Sequence, residues 1–309
     1  LNSLGIILIF FFAGLLTKNI PISLGLSLLY ATSFEQSQYA VWLSNPGFAA
    51  LTIPLFYYFL WHSHRRHLWS YLTAGLFLGL SIQADIFLAY HLVSLIILWL
   101  TRDIPFRFSF ISRFLVGLLL GIFPILLAQV KFGFTGLSAV SRLILPSGVD
   151  PAKQVFSDTA LNYLNQLTKT FALNLFPLQL FIGGLVGLSL ICWFIKSKNP
   201  SFNKTIILVY ILSSAIAIPF GGIATPFINV GIGFGIYLLL GIFLQSLWSK
   251  NHTLALVIIA IVLMSNVISI YRHNPSGQTI FALQPDLTLK NETAILNFIY
   301  TTQAGKPFS

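Results

Sequence analysis

Acidic residues are scarce in this chain: seven Asp and Glu among 309 residues, set against 17 Lys and Arg. Charged residues of both signs make up only 8%, while 56% are hydrophobic and the mean hydropathy is +0.86. That poverty of charge excludes an ordinary soluble domain, whose surface needs about a quarter of its residues charged. A single core would have to absorb more apolar surface than it can enclose, whereas a bilayer accepts apolar surface on every helix. One cysteine, Cys192, inside an apolar run, excludes an internal disulfide framework and a Cys-based metal site. Walker, HExxH, GxSxG and dinucleotide motifs are also missing, so ATP-driven transport, zinc proteolysis and serine-hydrolase chemistry have no support. No cofactor and no metal site are expected, and a divalent-ion requirement stays open. The net charge of +10 is spread over short clusters between apolar runs, never one basic stripe, so nucleic acid is not an expected partner.

What is present is a series of long apolar runs. A helix needs roughly 20 apolar residues to cross about 30 Å of hydrocarbon. By that ruler spans are predicted at about 2–17, 20–34, 46–61, 69–83, 86–101, 113–130, 177–195, 204–220, 228–248 and 253–271. The expected fold class is all-α: a polytopic membrane helix bundle of about ten spans over residues 1–271, two of them forming a short hairpin. Placing the loops at Lys18, 62–67, 101–113, 196–204 and 249–252 in the cytoplasm gathers ten of the 17 Lys and Arg there, and of the acids only Asp103. The short loops of the opposite face carry no Lys or Arg. The expected location is therefore the plasma (inner) membrane, with membrane lipids as surroundings and the acidic end extracytoplasmic.

Two long polar segments fall on that outer face. Residues 131–176 are expected as a long loop with amphipathic stretches such as "LNYLNQLTKTF" lying along the interface. Residues 272–309 are expected to begin an extracytoplasmic soluble domain, with a helix whose apolar face is Ile295, Phe298 and Ile299. No basic segment precedes the first apolar run, so no signal peptide is expected, and the protein is expected to continue beyond both ends. Gly75 and Gly79, Gly117 and Gly121, Gly183 and Gly187, and Gly231 and Gly235 have the GxxxG spacing that lets helices pack closely.

The candidate chemistry lies in few residues. Asp85, beside Gln83, is the lone full charge in the block 68–100, whose basic flanks require an even number of crossings. It is expected at the hairpin turn near the outer headgroups, where a carboxylate costs far less than at the bilayer centre. Two readings stay open: a polar residue marking the turn, or a functional group. Glu35, in the outer loop "SFEQSQYAVWLSNP", reads either as a solvated interfacial acid or as one that orients a sugar hydroxyl or acts as a base. His91 is expected to face the bundle interior. Arg142, Lys153 and Lys169 suit a phosphate, although a solvated loop explains them as well. The three histidines of "HSHRRH" read as neighbours of anionic headgroups rather than as metal ligands.

The stretch "SYLTAGLFLGLSIQADIFLAYHLVSLIILWL" (70–100) resembles a hairpin of the GT-C integral-membrane glycosyltransferases, in the branch of protein O-mannosyltransferases and aminoarabinose transferases. "YAVWLSNPGFAALTIPLFYYFL" (39–60) and "AILNFIYTTQAGKPFS" (294–309) are similar to that family's outer loop with its following helix, and to the start of its soluble domain. The resemblance implies transfer of a sugar from a polyprenyl-phosphate donor to a protein, lipid or glycan acceptor at the outer face. It implies an acidic residue as general base, Glu35 and Asp85 being the candidates here, while the family's main acid would precede Leu1. Gln83, His91, Arg142 and Lys153 would then contact substrate, with Asp85 and Gln83 at the rim of the lipid-carrier cavity. Two departures stand out: Asp85 occupies the place of a family lysine, and Val41 that of an arginine. A lipid-linked oligosaccharide flippase or transporter, or an O-antigen ligase or polymerase, are the alternatives.

Overall fold

A computed structural model describes residues 2–41, 46–64, 67–104, 107–134, 156–198, 201–215 and 229–273, together with Asn297. Among the described residues the structure is all-helical, with twelve α-helices, a six-residue 3-10 segment and no strand. They are α1 (Asn2–Thr17), α2 (Ile20–Ala31), α3 (Phe34–Val41), α4 (Pro46–Ser63), α5 (Leu68–Ala84), the 3-10 segment (Ile86–His91) and α6 (Leu92–Leu100). After these come α7 (Phe108–Lys131), α8 (Phe156–Leu175), α9 (Leu180–Lys196), α10 (Ser201–Leu212), α11 (Ile232–Trp248) and α12 (His252–His273). Two of these, α7 and α12, are long and apolar enough to cross a membrane by length and composition. The bent pair α8 and α9 meets the same standard jointly, across a 98° break.

Local chemistry sets the joints. Asn19 caps α2 by accepting from the Ile22 N–H at 3.1 Å, with Pro21 in the first turn where its missing N–H costs nothing. Asn251 accepts from the Leu254 N–H at 3.0 Å and starts α12 in the same manner. Asp85 ends α5 and opens the 3-10 segment, its Oδ1 accepting from the Phe87 N–H at 3.0 Å. The expected single span over 86–101 is thus a 3-10 turn followed by a nine-residue α6.

The expected hairpin partners also have different main neighbours. α5 packs chiefly on α4 and α7, while α6 lies against α10. The α5–α7 seam is glycine-made: a Cβ on Gly75 would overlap the Phe114 carbonyl, one on Gly117 the Leu72 carbonyl, and Gly79 faces Gly121. With no side chain between them the backbones close directly on one another. The other faces of α7 carry exposed Leu115, Leu119, Leu120, Phe123, Leu127 and Val130. Such a surface suits lipid far better than water. α11 is its opposite, a largely enclosed helix with twelve buried residues, wrapped by α1, α2, α4, α8, α9, α10 and α12.

The stretch 131–176 departs from expectation. Its described part from Phe156 is α8, a 20-residue helix that packs on α9, α3, α11 and α12 and buries Phe171, Ala172, Asn174 and Leu175. Its polar residues had marked it as a surface loop, but two of them, Thr170 and Asn174, are turned inward. Residues 274–296 and 298–309, where the start of a soluble domain was expected, lie outside the described residues.

Candidate functional site

The bundle has two chemically distinct ends. At one end, loops expected to share a side do meet: His64 Nδ1 lies 2.6 Å from the Asp103 carbonyl, the His64 ring stacks on Phe202 at 4.0 Å, and Trp61 Nε1 donates to Asn203 Oδ1 at 3.2 Å. The opposite end gathers Glu35, Asp85 and a knot of buried polar side chains.

There, α3 is an eight-residue plug held from every side. Glu35 is 2% exposed, and its Oε2 accepts from Asn174 Nδ2 of α8 at 2.7 Å. Asn174 is itself fixed: Nδ2 also donates to the Thr170 carbonyl at 2.8 Å, and Oδ1 accepts from Ser33 at 3.2 Å. Its carbonyl receives Tyr237 OH of α11 at 2.8 Å and Asn266 Nδ2 of α12 at 3.0 Å. Asn266 Oδ1 in turn accepts from the Phe34 N–H at 2.8 Å, and Tyr30 OH donates to Gln36 Oε1 at 3.1 Å. Gly233 lies directly beneath Glu35 and Asn174, where a Cβ would strike both. The solvated reading of Glu35 is thereby corrected. Burial pushes its carboxyl from the ordinary 4.5 up to about 8, with the Asn174 hydrogen bond pulling the other way.

Asp85 occupies the same end in a different setting. It is half-buried, Oδ1 is committed to Phe87, and among the described residues nothing holds Oδ2. Burial raises its pKa and the Phe87 N–H opposes the rise. Neighbouring Gln83 is exposed. Tyrosines lie near both acids: Tyr39 of α3 is within electrostatic reach of Glu35 and Tyr90, and Tyr90 within reach of Asp85 and of Tyr163 on α8.

His91 turns inward as expected and is fully enclosed. Its Nδ1 lies 2.9 Å from Tyr57 OH and 3.1 Å from Ser213 Oγ, and Tyr57 OH also meets Ser94 Oγ at 2.6 Å. Tyr57 stacks on Tyr210 at 3.7 Å, and Tyr210 OH donates to the Gly231 carbonyl. This cluster pins α4, α6, α10 and the start of α11 together. His91 is thus placed as a structural pin rather than beside Asp85.

A cavity of about 540 Å³ opens on the flank of the bundle between α9, α11 and α12, walled by Leu175, Phe176, Leu185, Trp193, Phe243 and Val262. Leu175 follows Asn174 directly, so one wall of the cavity and the Glu35 knot share a turn of α8. Arg142 and Lys153, the candidate phosphate contacts, lie outside the described residues, and Lys169 is exposed. Among the described residues no group of His, Cys, Asp and Glu is placed to hold a metal ion. Asn174, Asn266, Ser33 and Tyr237 were not singled out from sequence, and their one signal was polar residues in otherwise apolar helical stretches. Compared with protein-family models, with curated proteins and with solved structures, the chain matches none.

Proposed function

We propose that this chain is an integral membrane glycosyltransferase of the GT-C type with about ten spans, its acidic end facing out of the cell from the plasma membrane. It takes a sugar from a polyprenyl-phosphate donor and passes it to a protein, lipid or glycan acceptor. The observation that carries this reading is a half-buried carboxylate at the acidic end, Asp85, whose Oδ2 has no partner among the described residues, in a bundle that also carries an apolar-walled flank cavity of about 540 Å³. α8 connects them, running from Tyr163 near Tyr90 to Leu175 on the cavity wall.

Asp85 is the general base and Glu35 the acid that positions α3. An acceptor O–H gives its proton to Asp85 Oδ2 as the acceptor oxygen attacks the anomeric carbon. The bond from that carbon to the phosphate oxygen breaks, and the polyprenyl phosphate leaves with the electron pair. A carboxylate whose pKa is raised by burial is a stronger base for that proton than a solvated one. Gln83 is exposed beside it to meet a sugar hydroxyl, and Arg142 and Lys153 supply cations for the leaving phosphate.

The test is transfer of radiolabelled sugar from polyprenyl-phosphate donors to a membrane extract by the reconstituted full-length protein. Label on an acceptor, reduced roughly 100-fold or more by Asp85→Asn, is the expected result. Labelled lipid crossing to the other leaflet with no transfer overturns the reading in favour of a flippase.

A further inference from the structure

We propose that α3 is a proton-operated latch: protonated Glu35 holds this short helix in the outer end of the bundle, and loss of the proton releases it. The latch concerns α3 alone and does not depend on which substrate the protein takes.

The geometry makes Glu35 the weak point of an otherwise tight seat. The neutral contacts that seat α3 include matched pairs, Phe34 N–H with Asn266, Gln36 with Tyr30, and Ser33 just before the helix with Asn174. Glu35 has one donor, Asn174 Nδ2, and that donor is shared with the Thr170 carbonyl. A neutral carboxyl is satisfied by such a contact, whereas a carboxylate sealed from water needs a cation or several donors. The groups facing it supply neither. α2 presents Tyr30 and α11 Tyr237, whose hydroxyls donate elsewhere, to Gln36 Oε1 and to the Asn174 carbonyl, and α3 itself presents neutral Tyr39. α8 presents neutral Asn174 and Thr170. α12 presents neutral Asn266, with His273 packed against the Phe34 ring and its Nδ1 3.0 Å from the Ser269 carbonyl. α4 packs on α3 as well, and among the described residues it places no Asp, Glu, Lys or Arg there. Gly233 backs directly onto the carboxyl and Asn174, and Glu35 is sealed from water in the seated helix.

The sign follows from the two states. In the released state Glu35 meets water and ionises in the ordinary carboxylate range near 4.5, while in the seated state it holds its proton up to about 8. The seat is therefore strongest below the lower value, weakens by up to about tenfold in the seated-to-released ratio for each pH unit between the two, and changes no further above the upper one.

A cysteine at Ser269 reads this out. Ser269 is buried, its Oγ has no hydrogen-bond partner among the described residues, and it lies one turn from His273 on the face of α12 that carries Asn266. In the full chain with Cys192→Ser, the Ser269→Cys thiol is titrated with a soluble maleimide from about pH 5.5 to about 8.5, its own ionisation corrected with a denatured control. Labelling is expected to rise about 100-fold or more across this range with Glu35 in place, and to stay flat and low in Glu35→Gln. Equal pH profiles in the two chains, or full labelling at the acidic limit, overturn the latch. Should Glu35→Gln fail to fold, Gly233→Ala, which expels the carboxyl, is expected to label at every pH. Amide exchange over residues 34–41 of the unsubstituted chain, corrected for intrinsic rates, must then rise with pH in the same window, and a flat profile there also overturns it.

Discussion

The seam between α5 and α7 and the knot around Glu35 close similar gaps by opposite chemistry. In the seam, four glycines bring backbone onto backbone and no polar side chain is needed. In the knot, α2, α3, α8, α11 and α12 meet through side-chain amides and hydroxyls, with one carboxyl at the centre. Without water, two helices in lipid gain little from apolar contact alone, so either close approach or internal hydrogen bonds must hold them. A seam of the first kind has one arrangement, because nothing in it titrates or rotates. A knot of the second kind can be undone by a single proton, and it lies at the end of the bundle where the chemistry is proposed.

The comparison breaks most visibly in the seam. Gly117→Leu drives a side chain into the Leu72 carbonyl, and neither backbone can retreat without parting the helices. A loss of about 3 kcal/mol or more is expected, above the usual range for overpacking because the obstacle is main chain. Purified protein should melt at markedly lower temperature and lose its single elution peak. Retention of the parent melting temperature would mean that α7 is held by something other than the glycines.

Asn174→Leu tests the knot. It removes the donor to Glu35 and the acceptor for Ser33, leaving both buried, and the expected cost is about 2–3 kcal/mol. Because Asn174 is the group that lowers the Glu35 pKa, its loss should also move the pH window of α3 release upward. Tyr57→Phe probes the second polar cluster with a gentler change. The hydroxyl leaves His91 and Ser94, but Ser213 still reaches His91 at 3.1 Å and the stack on Tyr210 is kept. A cost of about 1 kcal/mol is expected, in line with measured side-chain hydrogen bonds between membrane helices.

Hydropathy made the helices legible, and the joints less so. The starts and ends of α1, α4, α5 and α12 fall within a few residues of the predicted spans, because the bilayer ruler and the charge of the loops are both local properties. The GxxxG spacing at Gly75, Gly79, Gly117 and Gly121 named both sides of one seam, although which helix would meet which was not readable. The knot was invisible for a physical reason. Glu35 and Asn174 lie 139 positions apart, and a polar residue reads the same in a list whether it faces water or another polar residue. Residues 156–175 were assigned to a loop on polarity, yet Thr170 and Asn174 are polar because they are buried against each other and against α3. Asp85 shows the converse case, since the hairpin logic placed it at a turn and its bond to Phe87 is that of a turn residue.

The smallest structural effect belongs to Asp85→Asn, and it sharpens the contrast with the knot. Asparagine offers the same Oδ1 to the Phe87 N–H and caps about as well as aspartate, so stability should change by no more than a few tenths of a kcal/mol. Burial raises the Asp85 pKa, so the seated carboxyl loses a little stability as pH climbs through that raised value, and the asparagine variant should lose none. Transfer should behave in the opposite sense, rising with pH in the parent as Asp85 ionises and staying near background in the variant at every pH. Melting curves that coincide at acidic pH, beside activity profiles that diverge, separate a residue acting on substrate from one that only marks a turn. An Asp85→Asn protein with full transfer and an unchanged pH profile would leave Asp85 to its cap, and would move the search for the base to Glu35 and to the released state of α3.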